Sequence, residues 1–324
     1  MGHGRSERFD GWTVRHNSCR GPAKGGACYR FDLTLGELKA AAMSITWKWA
    51  VLGIPFGGGK GGAAIDLRRL PQDEIERLTG NALEIVPPGE TAWARSAPPR
   101  EEAAGRAVAV TIKGACEHLG LPSKHARAAV HGFGKTGSAA ALLLTGTGAI
   151  VTAASDTWGA IYSARGLDVA ALIQHKQRRG SVVGFAGAEP ITDYELLALD
   201  CDILILSALP GAIRGPNAAG IRAGIIAEAA AGSITPQADS ILGSNGILVI
   251  PDQLANAGGA VAAYYEAGQE VGMHDRLEND IQRSFHDVLR ISLERKVSMR
   301  RAATMLGISR TAAAVELRAG ASAP

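Results

Sequence analysis

The segment Ala126-Arg-Ala-Ala-Val-His-Gly-Phe-Gly-Lys-Thr-Gly-Ser constrains the fold more than any other in this chain. A short apolar run leads straight into Gly132, Gly134 and Gly137, the spacing G-x-G-x-x-G, and a helical pattern from Ser138 to Leu144 follows. About 20 residues on, a second apolar run, Ala149-Ile-Val-Thr-Ala-Ala-Ser, ends at Asp156. Strand, glycine turn, helix, strand and acid form the context that a dinucleotide's pyrophosphate and ribose require. The glycines allow a tight turn and close backbone approach, and the helix start supplies free N–H groups and a positive dipole. The residues expected to hold the cofactor are Gly132, Phe133, Gly134, Lys135, Thr136, Gly137 and Asp156. An acid at position 156 leans towards NAD, while Thr157 and Lys135 leave NADP open.

The series continues with Cys201-Asp-Ile-Leu-Ile-Leu, Gly224-Ile-Ile-Ala-Glu and Gly246-Ile-Leu-Val-Ile-Pro. Short apolar strands alternating with helices predict a parallel sheet covered on both faces. The expected class is therefore α/β with two domains. Residues 1–107 with 273–324 would form a substrate and oligomerisation domain, and residues 108–272 a Rossmann-type dinucleotide domain. In the first part, Leu33-Thr-Leu-Gly-Glu-Leu-Lys predicts a helix capped by Thr34, and Pro71-Gln-Asp-Glu-Ile-Glu predicts another with acids in its first turn. The proline-rich stretch 85–100 reads as irregular loop. Two long helices are expected from about 258 to 315.

Composition removes several function classes. A formal net charge of +3 over 324 residues gives no electrostatic case for nucleic acid. The apolar runs are far shorter than the roughly 20 residues of a membrane span. Cys19, Cys28, Cys116 and Cys201 lack CxxC spacing, so neither a metal knuckle nor a disulfide framework is expected, and a reducing cytoplasm is the simplest location.

Three lysines stand out before residue 61: Lys24 in Gly21-Pro-Ala-Lys-Gly-Gly, Lys48 in Thr46-Trp-Lys-Trp, and Lys60 in Gly57-Gly-Gly-Lys-Gly-Gly. Glycines beside a lysine let a ligand approach the backbone, and lysines that bind carboxylates or exchange protons use such settings. A glycine-rich turn around a solvated lysine is the plainer alternative.

With these lysines, the sequence resembles the glutamate/leucine/phenylalanine/valine dehydrogenases, and among them the glutamate dehydrogenases. The matching stretches are Arg15-His-Asn, Gly21 to Gly26, Thr46-Trp-Lys, Ile54-Pro-Phe-Gly-Gly-Gly-Lys-Gly-Gly, Arg100-Glu-Glu-Ala-Ala-Gly-Arg, Gly132-Phe-Gly and Ser155-Asp. Ser181-Val-Val-Gly-Phe, Cys201-Asp-Ile-Leu-Ile and Leu254-Ala-Asn-Ala-Gly-Gly complete them, in the family's order. The resemblance implies reversible oxidative deamination of L-glutamate to 2-oxoglutarate and ammonia, with hydride passing to the nicotinamide of NAD or NADP. It implies that Lys60 is catalytic, that Lys48 holds the α-carboxylate, and that Lys24, with Gly26 and position 263, serves the side-chain carboxylate. Ala208 and Asn256 would line the nicotinamide half. A homo-oligomer is implied, hexameric in most of the family, with no metal and no membrane or nucleic-acid partner.

The sequence also departs from that pattern. The family's Pro-Ala-Pro-Asp stretch, whose aspartate moves protons, should lie between Leu78 and Arg100, where the chain looks several tens of residues short. No aspartate occurs from Ala82 to Arg106, and Glu90 is the nearest surrogate carboxylate. Alanine stands at 104, 231 and 263 where the family offers threonine, asparagine and serine, and Cys28 replaces an arginine. A second reading is therefore a catalytically weak or dead relative that binds dinucleotide or acts as a regulatory partner. A third is DNA binding, because Ser298-Met-Arg-Arg-Ala-Ala-Thr-Met-Leu-Gly-Ile-Ser-Arg resembles a helix-turn-helix, with Gly307 in the turn and Arg310 on the recognition helix.

Overall fold

The computed structural model describes residues 9–71, 73–75, 98–267 and 273–321. The chain packs as two compact units, 1–96 with 304–324, and 97–303. These divisions fall at 96/97 and 303/304, away from the 107/108 and 272/273 boundaries expected from sequence. The helical segments 98–119 and 273–295 pack on each other within the second unit.

In the first unit, strands β1 (Gly11–Asn17), β2 (Ala23–Lys24), β3 (Ala27–Tyr29) and β4 (Gly57–Ala63) form one sheet. Helix α1 (Leu35–Val51) starts at the expected cap: Thr34 accepts from Glu37 N at 3.2 Å, and the Glu37 carboxylate accepts from Thr34 N at 2.9 Å. The glycine-rich segment around Lys60 is not the loop expected from its composition. It is the central strand β4, antiparallel to β1 on one side and parallel to β2 and β3 on the other. Its glycines answer to protein neighbours. A Cβ on Gly58 would stand 2.1 Å from Thr46 Oγ1 and 2.3 Å from Ala42 O, both on α1. Glycine in a strand here marks close approach by a helix. Gly58→Ala is expected to push α1 off the sheet at a cost of about 3 kcal/mol. Denaturant unfolding reads this directly, and an unchanged midpoint would contradict the packing described.

In the second unit, α2 (Pro98–Leu119) is followed by β5 (Arg127–His131), α3 (Lys135–Gly146), β6 (Ile150–Asp156), β7 (Gly159–Tyr162), α4 (Val169–Arg179), β8 (Glu189–Ile191) and α5 (Asp193–Leu197). Then come β9 (Ile203–Leu206), α6 (Gly215–Ala218), β10 (Ile225–Glu228), α7 (Pro236–Ser244), β11 (Leu248–Ile250), α8 (Asp252–Ala255), α9 (Gly258–Ala267) and α10 (Met273–Arg295). The sheet order is β11-β10-β9-β5-β6-β7-β8. Five strands are parallel as expected, and their apolar residues, such as Leu204, Leu206 and Ile226, are fully buried. At the edge, β7 pairs antiparallel with β6 and with β8; only Thr157 and Trp158 connect β6 to β7, too few for a crossover.

The final helix, α11 (Met299–Ala321), contributes residues to both units. It is continuous, so the helix-turn-helix of the third reading does not form. Gly307 lies within the helix, where its missing side chain lets Trp47 of α1 come close; a Cβ there would stand 3.1 Å from Trp47 Cβ. Arg310 Nη1 donates to Ala50 O and Val51 O at 3.2 and 2.7 Å, capping the end of α1 rather than facing solvent as on a recognition helix. The region 258–315 holds parts of three helices rather than two.

A buried ionic cluster fixes the other end of α11. Glu228, fully buried at the end of β10, accepts from Ile234 N at 3.0 Å, Asp252 N at 3.3 Å and Arg300 Nη2 at 2.6 Å. Arg300 Nε also donates to Asp239 at 3.0 Å. Burial pushes the Glu228 carboxyl up to about 7 against the opposing pull of Arg300.

Candidate active site

Lys24, Lys48 and Lys60 all lie in the first unit. Lys24 ends β2 opposite Gly58, and Lys60 follows two positions later on β4, where β2 has ended and β3 has not begun. Gly25 and Gly26 fill that interval. A Cβ on Gly25 would collide with Gly59 O at 1.8 Å, and one on Gly26 would stand 3.6 Å from Lys60 Nζ. Gly26 thus leaves the Lys60 ammonium accessible from that side.

Lys60 is half-buried, and desolvation lowers its pKa below the usual lysine value, with the nearby Cys28 thiol pulling weakly the other way. Desolvation of this kind makes a lysine readier to give up its proton than a solvated one. Lys24 is only 7% exposed, with its Nζ 5.6 Å from the centre of the Phe56 ring. Trp49 Nε1 donates to Lys24 O at 3.2 Å and its ring meets Phe56 edge-on, fixing the strand beneath the lysine. Lys48 is half-buried on α1, the helix that covers β4. The unit therefore assembles Lys24, Gly26, Lys48 and Lys60 around one strand. Phe56 and Trp49 escaped sequence reading although both sit beside motif residues. Glu90 lies outside the described residues.

The residues expected to hold a dinucleotide lie in the second unit. Gly132 has φ +96°, and a Cβ there would stand 2.7 Å from Ala208 N. A Cβ on Gly137 would stand 2.2 Å from Gly132 O and 2.5 Å from Ser207 Oγ. Gly134, by contrast, begins α3 with nothing within 4 Å of a built Cβ, so the space above the helix start is open. Lys135 is exposed and Thr136 half-exposed in the first turn of α3, while Phe133 is buried beneath. Ser207 Oγ donates to Gly132 O at 2.6 Å and Ser155 Oγ accepts from Gly132 N at 3.2 Å, holding the turn between β9 and β6. These residues fit a pyrophosphate: closed below, open above, with helix N–H groups facing the opening.

Asp156 stands where expected, at the end of β6, but its carboxylate is already engaged. Oδ1 accepts from Trp158 N at 3.0 Å and Ser181 Oγ at 3.1 Å; Oδ2 accepts from Lys176 Nζ at 3.0 Å and Val182 N at 2.8 Å. Burial raises its pKa, but the Trp158 and Val182 N–H groups with Lys176 outweigh that and hold it below the usual carboxylate range. Sequence could not reveal this, since Lys176 and Ser181 come from the far end of α4 and the loop after it. Ala208 follows β9 beside the glycine turn. The Asn256 amide donates to Ala229 O just after α8, and Ala263 is buried on α9. Among the described residues no cluster of three metal-ligating side chains occurs.

The family model of the Glu/Leu/Phe/Val dehydrogenase dimerisation domain matches residues 1–87, and that of the glutamate/leucine/phenylalanine/valine dehydrogenase matches residues 97–319. A glutamate dehydrogenase of Thermotoga maritima is 39% identical over 367 residues, covering 98% of this chain and 88% of the relative. An NAD-specific glutamate dehydrogenase A of Halobacterium salinarum is 36% identical, covering 97% and 83%. Among solved structures, a hetero-hexameric glutamate dehydrogenase from Thermus thermophilus superposes with a TM-score of 0.85 at 28% identity, covering 96% of this chain and 85% of that one. The alignment with the Thermotoga protein runs over 367 positions and this chain has 324 residues, so at least 43 positions, 367 less 324, face no residue here. With both family models matched in order and full-length relatives above 30% identity, this chain belongs to the Glu/Leu/Phe/Val dehydrogenase family.

Proposed function

We propose that the chain is an NAD-dependent amino-acid dehydrogenase that interconverts L-glutamate with 2-oxoglutarate and ammonia. The observation that carries this reading is the half-buried Lys60 on β4, desolvated and open towards Gly26, one strand from the buried Lys24. Lys60 polarises the substrate carbonyl and the carbinolamine oxygen, and its lowered pKa lets it exchange a proton during the step. Lys48 neutralises the α-carboxylate. Lys24 meets the side-chain carboxylate, which selects a dicarboxylic substrate over leucine or phenylalanine, although Ala263 adds no hydroxyl to help it. The bound nicotinamide supplies the hydride acceptor. Gly132, Phe133, Gly134, Lys135, Thr136 and Gly137 hold the dinucleotide, and Ala208 and Asn256 border its nicotinamide end. NAD is the coenzyme named for several relatives. NADP is the second choice, since Lys176 offsets the charge of Asp156.

The relatives' assembly supports an oligomer: one family model is described as a dimerisation domain, and the Thermus relative is hetero-hexameric. A homo-oligomer in the cytoplasm is the form proposed here. Among the described residues no helix is long and apolar enough to cross a membrane.

One observation favours a second reading. The unmatched positions and the lack of any aspartate from Ala82 to Arg106 leave Lys60 without its family carboxylate partner, unless Glu90 takes that role. A chain of this kind would bind dinucleotide and turn over slowly or not at all. The deciding test is NADH oxidation with 2-oxoglutarate and ammonium, alongside direct NADH binding. Turnover supports the enzyme; binding without turnover supports the weak relative; failure to bind either NADH or NADPH defeats both.

A further inference from the structure

The two most exposed large apolar side chains described are Leu209 at 78% and Trp158 at 77%. Both follow the carboxyl ends of sheet strands, Leu209 after β9 and Trp158 after β6. Those strands flank β5, which carries the glycine turn. The exposed indole coincides with the rim where open α/β sheets take ligands. Trp158 is also fixed in place. Its backbone N–H donates to Asp156 Oδ1, and the same carboxylate ties down Ser181, Val182 and Lys176. Gly159 follows with φ +147°, a conformation that turns the chain directly into β7 and holds the indole at the apex.

We propose that the Trp158 indole is the stacking platform for the adenine of the dinucleotide, with Asp156 acting as the anchor that presents it. The inference rests on the dinucleotide reading above and adds a residue to it. The adenosine half belongs over β6, because the pyrophosphate lies at the α3 start and the adjacent strand end receives the ribose. An exposed ring two residues beyond that strand end, on a backbone held by Asp156, suits a flat heterocycle, and stacking of a base on an aromatic ring is a substantial, sequence-tolerant attraction. Because all four hydrogen-bond positions of Asp156 are filled internally, adenosine recognition at this edge falls to the ring rather than the acid.

The test compares Trp158→Ala and Trp158→Phe with the unaltered chain, titrating NADH, ADP-ribose and reduced nicotinamide mononucleotide. The expected result is that Trp158→Ala weakens NADH and ADP-ribose by roughly ten-fold or more. Trp158→Phe stays within about three-fold, and the mononucleotide, which has no adenine, is unchanged. ADP-ribose should quench tryptophan emission in the unaltered chain, and that quench should be lost in Trp158→Phe. Unchanged NADH affinity in Trp158→Ala would overturn the proposal while leaving the dinucleotide reading standing. Equal weakening of the mononucleotide, or a change in oligomeric state without a change in affinity, would also overturn it, the latter by making Trp158 a subunit contact. An unaltered chain that binds neither NADH nor ADP-ribose would remove the dinucleotide reading and this one together.

Discussion

Lys60→Ala is expected to lower kcat/KM for reductive amination of 2-oxoglutarate by about 10²–10⁴-fold, the range for losing a positioned proton donor. The same substitution should leave stability equal or improved. Desolvation depresses the pKa of Lys60 in the folded chain, so at neutral pH its charged form is disfavoured by folding, and removing the charge relieves that cost. In linkage terms, a depressed folded pKa contributes stability above the unfolded value of 10.5, and that contribution is lost as pH falls through the folded pKa. Lys60→Arg separates charge from proton exchange. It keeps a cation but cannot release a proton near neutrality, so it should be nearly as slow as alanine. Steady-state rates and thermal melts of the three proteins decide this. Undiminished turnover in Lys60→Ala would remove the lysine from the mechanism.

Arg300→Ala is expected to be the most damaging change to stability within the second unit, about 3–5 kcal/mol near pH 8. It would leave Glu228 fully buried beside Asp252, and Asp239 without its partner. The loss should shrink at pH 5, where Glu228 takes up a proton. The unaltered chain should show a milder form of the same dependence. Glu228 is raised in the folded state from 4.5 to about 7, so its contribution is fully present below 4.5 and lost as pH rises through about 7. Glu228→Gln should flatten that slope, and the pair Glu228→Gln with Arg300→Met should recover part of the Arg300→Ala loss, since position 228 then carries no unpaired charge while Asp239 stays without Arg300. Denaturant unfolding across pH 5–8 measures all of these. A slope that survives Glu228→Gln would assign it to another group.

The parallel strands were legible because they are buried on both faces and therefore nearly continuous in apolar residues, as Ile203 to Leu206 illustrates. Thr34 and Glu37 announced α1 through local chemistry alone. The segment around Lys60 was legible as important but not as a strand. Its glycines reflect the backbones of α1 and the neighbouring strands, which no local pattern encodes. Gly307 is ambiguous for the same reason: sequence offers a turn residue as one alternative, and only packing shows the notch for Trp47. The site lysines could be found from their motif, whereas the partners of Asp156 and the burial of Glu228 depend on residues 20 to 72 positions away. Such contacts are set by tertiary packing, and sequence shows only that the participants exist.

The first unit is completed by residues made late. Strands β1 to β4 and α1 leave the ribosome early, yet the carbonyls that end α1 wait for Arg310, and Trp47 waits for Gly307. The chain between β4 and the first-unit portion of α11 is about 240 residues long. At roughly 5–20 residues per second, synthesis leaves the end of α1 without these partners for roughly 10–50 seconds. The second unit has all of its strands by then. The three lysines are thus made long before the helix that covers their strand receives its last contacts, so nascent chains that stall before the final helix should show an unfinished C-terminal end of α1.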